Sequence, residues 1–435
     1  MAKKNKKWIK FRHKVITFLA RIVLIPFVYF KYGARIPRFK QQGKRQYLIM
    51  MNHQTDFDQF FIGCAFRGPV YYIASEDLFS NGFISTLLRY AVAPIPIKKQ
   101  TTDVRAVMNC IKIVKEGGTI ALAPEGNRTY SGKTETINPA IAGLAKALKL
   151  PIAFFRIEDG YGVHPRWSDN TRKGKMRAYV SKVVEYEEYS KLTDDELYNL
   201  IKKELYVNEG CLSGEFKHKN LAEYLERAIY VCPTCGLSEF ESKGNKMHCR
   251  KCGLEVEYLP NKQLKPVKGS YYFERFVDRY SSGDKHVCET DEEFLNYAKK
   301  CFPFEFVNDW YEYQENFINN LNVNEYNDKA VYQDEISLFK VTLYKNKKKV
   351  ESGAIIRLFG NRIEIEGAEK RCFSFDDVSV IAVLGRNKLN IYAKDGLWQI
   401  KGSKRFNALK YMHFFYRYNN AKKGEENGKL LFLGL

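Results

Sequence analysis

His53 and Asp58, five positions apart, carry the first chemistry the chain suggests. They stand in Asn52-His53-Gln54-Thr55-Asp56-Phe57-Asp58, directly after residues 47–51, an apolar run that reads as a buried strand. Function sits readily at the C-terminal end of a strand in an α/β sheet. If a helix opens near Thr55, Asp58 falls in its first turn and can reach back to the imidazole. The carboxylate would then fix the tautomer and leave the other ring nitrogen free as a general base. Such a base can deprotonate a substrate hydroxyl directly, without a nucleophilic Ser or Cys. Asp56, at i+3, is the competing partner for the ring. By itself the spacing is weak, because a lone His is usually structural.

Two further patches raise its weight. After a strand at 119–123 stands Pro124-Glu125-Gly126-Asn127-Arg128-Thr129. A strand, a Gly turn and an Arg offer backbone N–H groups and a guanidinium to a phosphate, though a plain surface turn has the same letters. Pro96-Ile97-Lys98-Lys99 places two cations after another strand, where a solvated loop is the bland reading. Separately, Cys232-Pro-Thr-Cys235-Gly and Cys249-Arg-Lys-Cys252-Gly lie thirteen residues apart. Two C-x2-C knuckles of this kind read as a zinc ribbon with Zn2+ held by Cys232, Cys235, Cys249 and Cys252. Four protein ligands leave no open position, so this zinc is expected to be structural. The other Cys residues are scattered, which fits a reducing compartment and not a disulfide framework.

These residues need a scaffold. From about 46 to 185 short apolar strands alternate with helical patterns: strands at 47–51, 70–74, 93–97, 119–123, 152–157 and 177–184, helices at 83–91, 102–115 and 138–148. That alternation predicts an α/β fold, a mixed sheet layered with helices. Thr193 to Glu196 reads as a capping box opening a helix to Leu205, and 220–230 reads as a second helix. After the cysteine module comes an aromatic-rich stretch with a helix over 309–321. Strands then dominate from 336 to 401, closed by a helix over 406–417.

Taken together, Asn52 to Asp58, Pro96-Ile97-Lys98-Lys99, Pro124-Glu125-Gly126-Asn127-Arg128 and Leu150-Pro151-Ile152 resemble the motifs of the glycerolipid acyltransferases, specifically the 1-acylglycerol-3-phosphate acyltransferases, in order and in spacing across about residues 15–200. The resemblance implies a glycerolipid acyltransferase-like domain docked on a membrane by an N-terminal helical segment. It implies that His53 is the base and Asp58 its partner. It implies that Arg128, Lys98 and Lys99 bind the acceptor's phosphate, with Glu125 and Gly126 shaping the pocket. The reaction would pass a fatty acyl group from acyl-CoA or acyl carrier protein to the sn-2 hydroxyl of 1-acylglycerol-3-phosphate, giving phosphatidic acid. Three positions depart from the family's pattern. The second motif ends in Lys where the family usually has Arg, Asn127 stands for the usual Thr, and the last motif lacks a second Pro.

Composition locates the partners. The 435 residues, 45% apolar and 28% charged, are globular in balance and enough for two or three domains. The net charge of +21 demands an anionic partner. Fourteen of the 71 cations lie in residues 1–50, which hold no carboxylate, so the other 385 residues carry 57 cations against 50 acids. Within that head the apolar run 15–30, about 24 Å as a helix, falls short of the ~30 Å hydrocarbon core and is interrupted by Arg21. An interfacial helix on an anionic membrane surface is the expectation, in preference to a removable signal peptide or a nucleic-acid-binding arm. The protein is therefore expected at the cytoplasmic face of a membrane, peripheral or monotopic.

The domains expected are a membrane-surface segment (1–45), an acyltransferase domain (46–228), a zinc ribbon (229–260), a helical connection (261–333), a β-rich domain resembling pleckstrin-homology or GRAM domains (334–418) and a tail (419–435). The β-rich domain would serve lipid headgroups, partner docking, or packing that includes pairing into a homo-oligomer. Three rival readings remain: a different lysolipid or polar lipid as acceptor, a zinc-ribbon nucleic-acid-binding protein, and a lipid-binding protein with a dead site. Acidic Glu239, Glu241, Glu255 and Glu257 around the ribbon make nucleic acid the weaker candidate.

Overall fold

A computed structural model describes residues 7–97, 103–211, 214–267 and 302–424. Its first element is α1, Phe11–Tyr32, longer at both ends than the apolar run. Arg12 joins the helix because its guanidinium lies 4.0 Å from the centre of the Tyr90 ring, and His13 because it is buried against Tyr71. At 22 residues and a mean hydropathy of 1.7, α1 is long and apolar enough to cross a membrane. It is nonetheless held to the domain along its length. Arg21 Nη2 donates to the Cys64 carbonyl at 3.0 Å, and Val28 and Tyr32 are buried. Gly33 ends it at φ +60, where a Cβ would meet the Gly174 carbonyl oxygen at 2.2 Å.

The strands and helices that follow are β1 (Ala34–Arg35), β2 (Leu48–Met51), α2 (Asp58–Ala65), β3 (Val70–Ser75), α3 (Gly82–Ala91), β4 (Ile95–Ile97), α4 (Val104–Lys115), β5 (Thr119–Leu122), α5 (Ala140–Leu148), β6 (Ile152–Glu158) and β7 (Met176–Val184). They build one sheet in the order β1-β7-β6-β2-β5-β3-β4, parallel except for the β6–β7 pair. One face packs on α1 and α2. The other packs on α4, α5 and the helix Asp194–Leu205. The mixed α/β sandwich expected from the alternation is present. Strand β2 lies at its centre, every residue of it buried, with β5 on one side and β6 on the other, both parallel to it. All three strands therefore end at the same edge of the sheet.

The predicted helix at 220–230 is absent. Only a single 3₁₀ turn forms, Leu225–Arg227. The N–H groups that would start the helix bond elsewhere: Leu221 N to Asn245 Oδ1, Ala222 N to the Gly244 carbonyl and Tyr224 N to Ser242 Oγ. The cysteine module that captures them has a hairpin, β8 (Val231–Cys232) and β9 (Gly236–Leu237), and a four-stranded antiparallel sheet. That sheet comprises β10 (Phe240–Lys243), β11 (Lys246–Cys249), β12 (Glu255–Tyr258) and β13 (Leu264–Pro266).

The C-terminal strands are β14 (Tyr332–Val341), β15 (Lys348–Leu358), β16 (Arg362–Glu366), β17 (Arg371–Ser374), β18 (Val378–Leu384), β19 (Lys388–Ala393) and β20 (Gly396–Gly402). They form an antiparallel sheet in the order β17-β16-β15-β14-β20-β19-β18, closed by the helix Leu409–Lys422. This β-rich unit with one closing helix fits the expected pleckstrin-homology-like arrangement. The cysteine module and this domain share one apolar core, joined through the helix Val307–Asn319. On that helix, Trp310 Nε1 donates to the Val231 carbonyl, and Gln314 Oε1 accepts from Tyr230 N and Val231 N.

Candidate active site

The loop leaving β2 is fixed at both ends before any functional group is placed. Asn52 clamps β2 to β6, its Nδ2 donating to the Ile157 carbonyl and its Oδ1 accepting from Ile157 N, both at 2.8 Å. His53 N donates to Glu125 Oε1 at 2.9 Å, and Thr129 N donates to the His53 carbonyl at 3.3 Å. Glu125 Oε2 accepts from Glu135 N at 3.1 Å. One buried carboxyl thus ties the loop after β2 to the loop after β5. Burial drives the Glu125 carboxyl well above the usual range, and its two N–H donors oppose that only in part.

The His53 ring meets Asp58 and not Asp56. Its Nδ1 lies 2.8 Å from Asp58 Oδ2. A carboxylate can only accept, so Nδ1 carries the hydrogen and Nε2 is left with a lone pair. Asp58 is the first residue of α2, which therefore opens three residues later than Thr55, and is fully buried. It also accepts from Gln54 N at 2.7 Å, Thr55 N at 2.9 Å and Thr55 Oγ1 at 2.6 Å. Each bond to a charged group contributes roughly 1.5–3 kcal/mol, and the helix N-terminus adds favourable field, so the carboxylate is held rigidly. The His53 side chain remains 24% exposed, open at the sheet edge.

Asp56 faces a cationic cluster instead. Its Oδ1 lies 2.7 Å from Arg128 Nη2, and its Oδ2 lies 2.5 Å from Arg386 Nη2. Burial works to raise the Asp56 pKa, but Arg128 and Arg386 outweigh it and the carboxyl sits below its usual range. Arg128 is almost wholly buried. Desolvation lowers its pKa to about 10 against the pull of Asp56. His164, on the loop after β6, is pushed down to about 3, first by burial and then by Arg128. It is therefore a neutral imidazole, and its Nε2 accepts from Arg386 Nη2 at 2.9 Å.

The structure brings His53, Asp58, Glu125, Gly126 and Arg128 to one edge of the sheet. Gly126 turns the loop after β5 at φ +66. Lys98 and Lys99 lie outside the described residues. Ile97, just before them, ends β4 at the far side of β3 from the site. Sequence reasoning missed His164, Arg166 and Arg386. The strands flanking Gly385-Arg386-Asn387 were legible, but nothing local says where that turn docks.

Residues 32–157 match the family model described as Acyltransferase. A stretch of 154 residues is 24% identical to the 1-acyl-sn-glycerol-3-phosphate acyltransferase of Bacillus subtilis (strain 168), covering 34% of this chain and 72% of that protein. The chain is an O-acyltransferase. Among solved structures it is similar to the 1-acyl-sn-glycerophosphate (LPA) acyltransferase from Thermotoga maritima, at 19% identity and a TM-score of 0.38 over 45% of this chain and 80% of that one. It is also similar to the N-terminal PH domain of human ARAP2, at 11% identity and a TM-score of 0.18 over 21% of this chain and 80% of that one.

Outside the sheet edge, this acyltransferase has two further features. The sulfurs of Cys232, Cys235, Cys249 and Cys252 all lie within 4.8 Å of one another. The Cys232–Cys252 and Cys235–Cys249 separations are 3.6 Å. That is too long for a disulfide at ~2.05 Å and close to the ~3.8 Å edge of a tetrahedron with ~2.3 Å zinc–sulfur bonds. The four residues fit a tetrahedral metal ion.

The second feature is an apolar face. On α1, Phe11, Phe18, Leu19, Ile22, Val23 and Phe30 are exposed, and on the adjoining α3 so are Phe83, Ile84, Leu87 and Tyr90. A groove of about 570 Å³ runs beside α1, lined by Ile25, Pro26, Val28 and Phe30 with Arg21, Arg35 and Arg38. His53 does not line it. An apolar patch of this extent is unusual on a monomer's water-facing surface.

Proposed function

We propose that this acyltransferase transfers a fatty acyl group from an acyl thioester, carried on CoA or acyl carrier protein, to the sn-2 hydroxyl of 1-acylglycerol-3-phosphate, giving phosphatidic acid. The observation that carries the reading is the His53–Asp58 pair at 2.8 Å beside the buried guanidinium of Arg128.

His53 Nε2 removes the proton from the acceptor hydroxyl while Asp58 holds Nδ1–H and stabilises the imidazolium. The acceptor oxygen attacks the thioester carbonyl and forms a tetrahedral oxyanion. The intermediate collapses, the carbon–sulfur bond breaks, and the leaving thiolate takes the proton back from His53 Nε2. No covalent acyl-enzyme is needed. Arg128 binds the acceptor's phosphate, with Lys98 and Lys99 as its further cations. Glu125 and Gly126 hold the loop that presents Arg128.

The acyltransferase works at the cytoplasmic face of a membrane, in a peripheral or monotopic pose. Support comes from the exposed apolar residues of α1 and α3, flanked by Lys14, Arg21, Arg38 and Arg67. The four cysteines hold one structural Zn2+, which clips the ribbon to the core it shares with the β-rich domain. Nucleic acid is disfavoured, because cations of the ribbon pair with its own acids: Arg250 with Glu241 and Lys246 with Glu255.

The test is an acyl-CoA consumption assay on anionic vesicles with a panel of lysolipids. Phosphatidic acid should form from lysophosphatidate faster than acylated product forms from lysophosphatidylcholine or monoacylglycerol. Equal rates with all three would discard the proposed acceptor.

A further inference from the structure

We propose that the C-terminal β-rich domain completes the acceptor's anion subsite: Arg386, at the tip of the β18–β19 hairpin, binds the acceptor's phosphate together with Arg128. This rests on the lysophospholipid reading and extends it to a second domain.

The hairpin is built to place that one side chain. Leu384 pairs with Lys388, leaving Gly385-Arg386-Asn387 as a three-residue tip, with Gly385 at φ +61. Arg166 fastens the tip to the acyltransferase loops. Its Nη1 donates to the Arg128 carbonyl at 2.6 Å, its Nε to the Gly385 carbonyl at 3.3 Å and its Nη2 to the Val383 carbonyl at 3.4 Å. A second contact fixes the domain elsewhere. Asp77 pairs with Lys347 and accepts from Gln399 Nε2 at 2.7 Å, and Ser80 Oγ donates to the Thr342 carbonyl at 3.0 Å.

The direct ion pairs around the tip are unequal in number. Arg128 and Arg386 share Asp56, while Arg386 at 3.4 Å and Arg227 at 2.7 Å share Asp169. In direct pairs three guanidiniums thus divide two carboxylates, and Arg166 adds a fourth cation whose bonds go to carbonyls, with Glu135 and Asp58 acting on this cluster only from a distance. Arg128 Nη1 and Arg386 Nε are buried and have no hydrogen-bond partner among the described residues. After desolvation, the largest cause, Arg166 and Arg386 both act to lower the Arg128 pKa. Convergent, under-neutralised forks with spare donors suit a phosphate monoester dianion. Asp56 holds Arg128 and Arg386 side by side only three residues from His53, so the anion would sit next to the base.

The full-length acyltransferase provides the test, with Arg386→Gln, Arg386→Lys and Lys347→Ala, the last loosening the other docking contact. Two readouts are taken: calorimetric affinity for glycerol 3-phosphate as the anion probe, and KM and kcat for lysophosphatidate on vesicles. Arg386→Gln should weaken probe binding and raise KM by about tenfold or more, exceeding any fall in kcat, since it removes a charge-assisted bond to the phosphate. Arg386→Lys should recover part of both, and Lys347→Ala should change neither. An unchanged affinity in Arg386→Gln overturns the inference. So does an equal loss in Lys347→Ala, which would mean docking alone, and so does a rise in activity, which would mean that Arg386 plugs the site. A wild type that binds the probe but does not acylate lysophosphatidate refutes the reaction and leaves the subsite to be judged by the calorimetry.

Discussion

Nδ1 of His53 donates to Oδ2 of Asp58 at 2.8 Å, while Asp56, two residues nearer in sequence, pairs with Arg128 and Arg386. The two carboxylates therefore have separate duties, and substitution should separate them. Asp58→Asn keeps the shape but offers an amide to the ring, so kcat should fall by about 10²–10⁴. Asp56→Asn leaves the His53–Asp58 bond in place and should act mainly on the KM for the phosphate-bearing acceptor. Steady-state kinetics on the two variants checks this, and equal losses in kcat would merge the roles.

The cysteine cluster predicts one zinc per chain. Cys249→Ser should lose the metal and lower the thermal midpoint, because structural sites contribute about 10 kcal/mol or more of folding free energy in small zinc domains. The loss should extend beyond the ribbon, since Cys232 and Cys249 belong to the same core as Trp310, Tyr332 and Phe414. Metal analysis beside calorimetry reads both. A variant with full zinc content would refute the ligand set.

Membrane attachment is best tested by substitution. Deleting α1 would also strip the domain of the buried Val28 and Tyr32. Phe18→Ser with Ile22→Ser changes exposed positions only. Each inserted apolar side chain contributes about 1.5–3 kcal/mol, so vesicle affinity should drop by roughly 100-fold or more. High salt should weaken binding independently by screening the cations. Unaltered flotation with anionic vesicles in the double variant would exclude α1 as the docking face.

Stability should carry a pH signature at Glu315. Desolvation, then Glu135 and Glu312, push its carboxyl from 4.5 to about 8. A raised folded-state pKa means that the folded protein holds a proton the unfolded chain releases, so the contribution is full below pH 4.5 and is lost as pH rises towards 8. Glu315→Gln should flatten the fall in thermal midpoint over that window. A slope identical to wild type would remove Glu315 from the account.

The parts of the site that read easily from sequence are local. His53 and Asp58 share one turn, and Thr193 caps Glu196 N as its box predicts. The cysteine knuckles were legible for the same reason. What escaped depends on distant backbone. Residues 220–230 have a helical look, but Tyr224 adopts φ +73 because Ser242 Oγ takes its N–H. The apolar run of the head stopped at Val15, yet α1 begins at Phe11, because Arg12 finds Tyr90, 78 residues on. Arg386 reaches Asp56 across 330 residues, through a docking between domains that no periodicity encodes.

The most direct measurement is the single-turnover rate of acyl transfer from acyl-CoA to lysophosphatidate on anionic vesicles, with His53→Ala beside wild type. Loss of the general base should slow the chemical step by about 10²–10⁴-fold while the variant stays folded and keeps its acceptor affinity. A His53→Ala enzyme that forms phosphatidic acid at near the wild-type rate would contradict the mechanism at its centre.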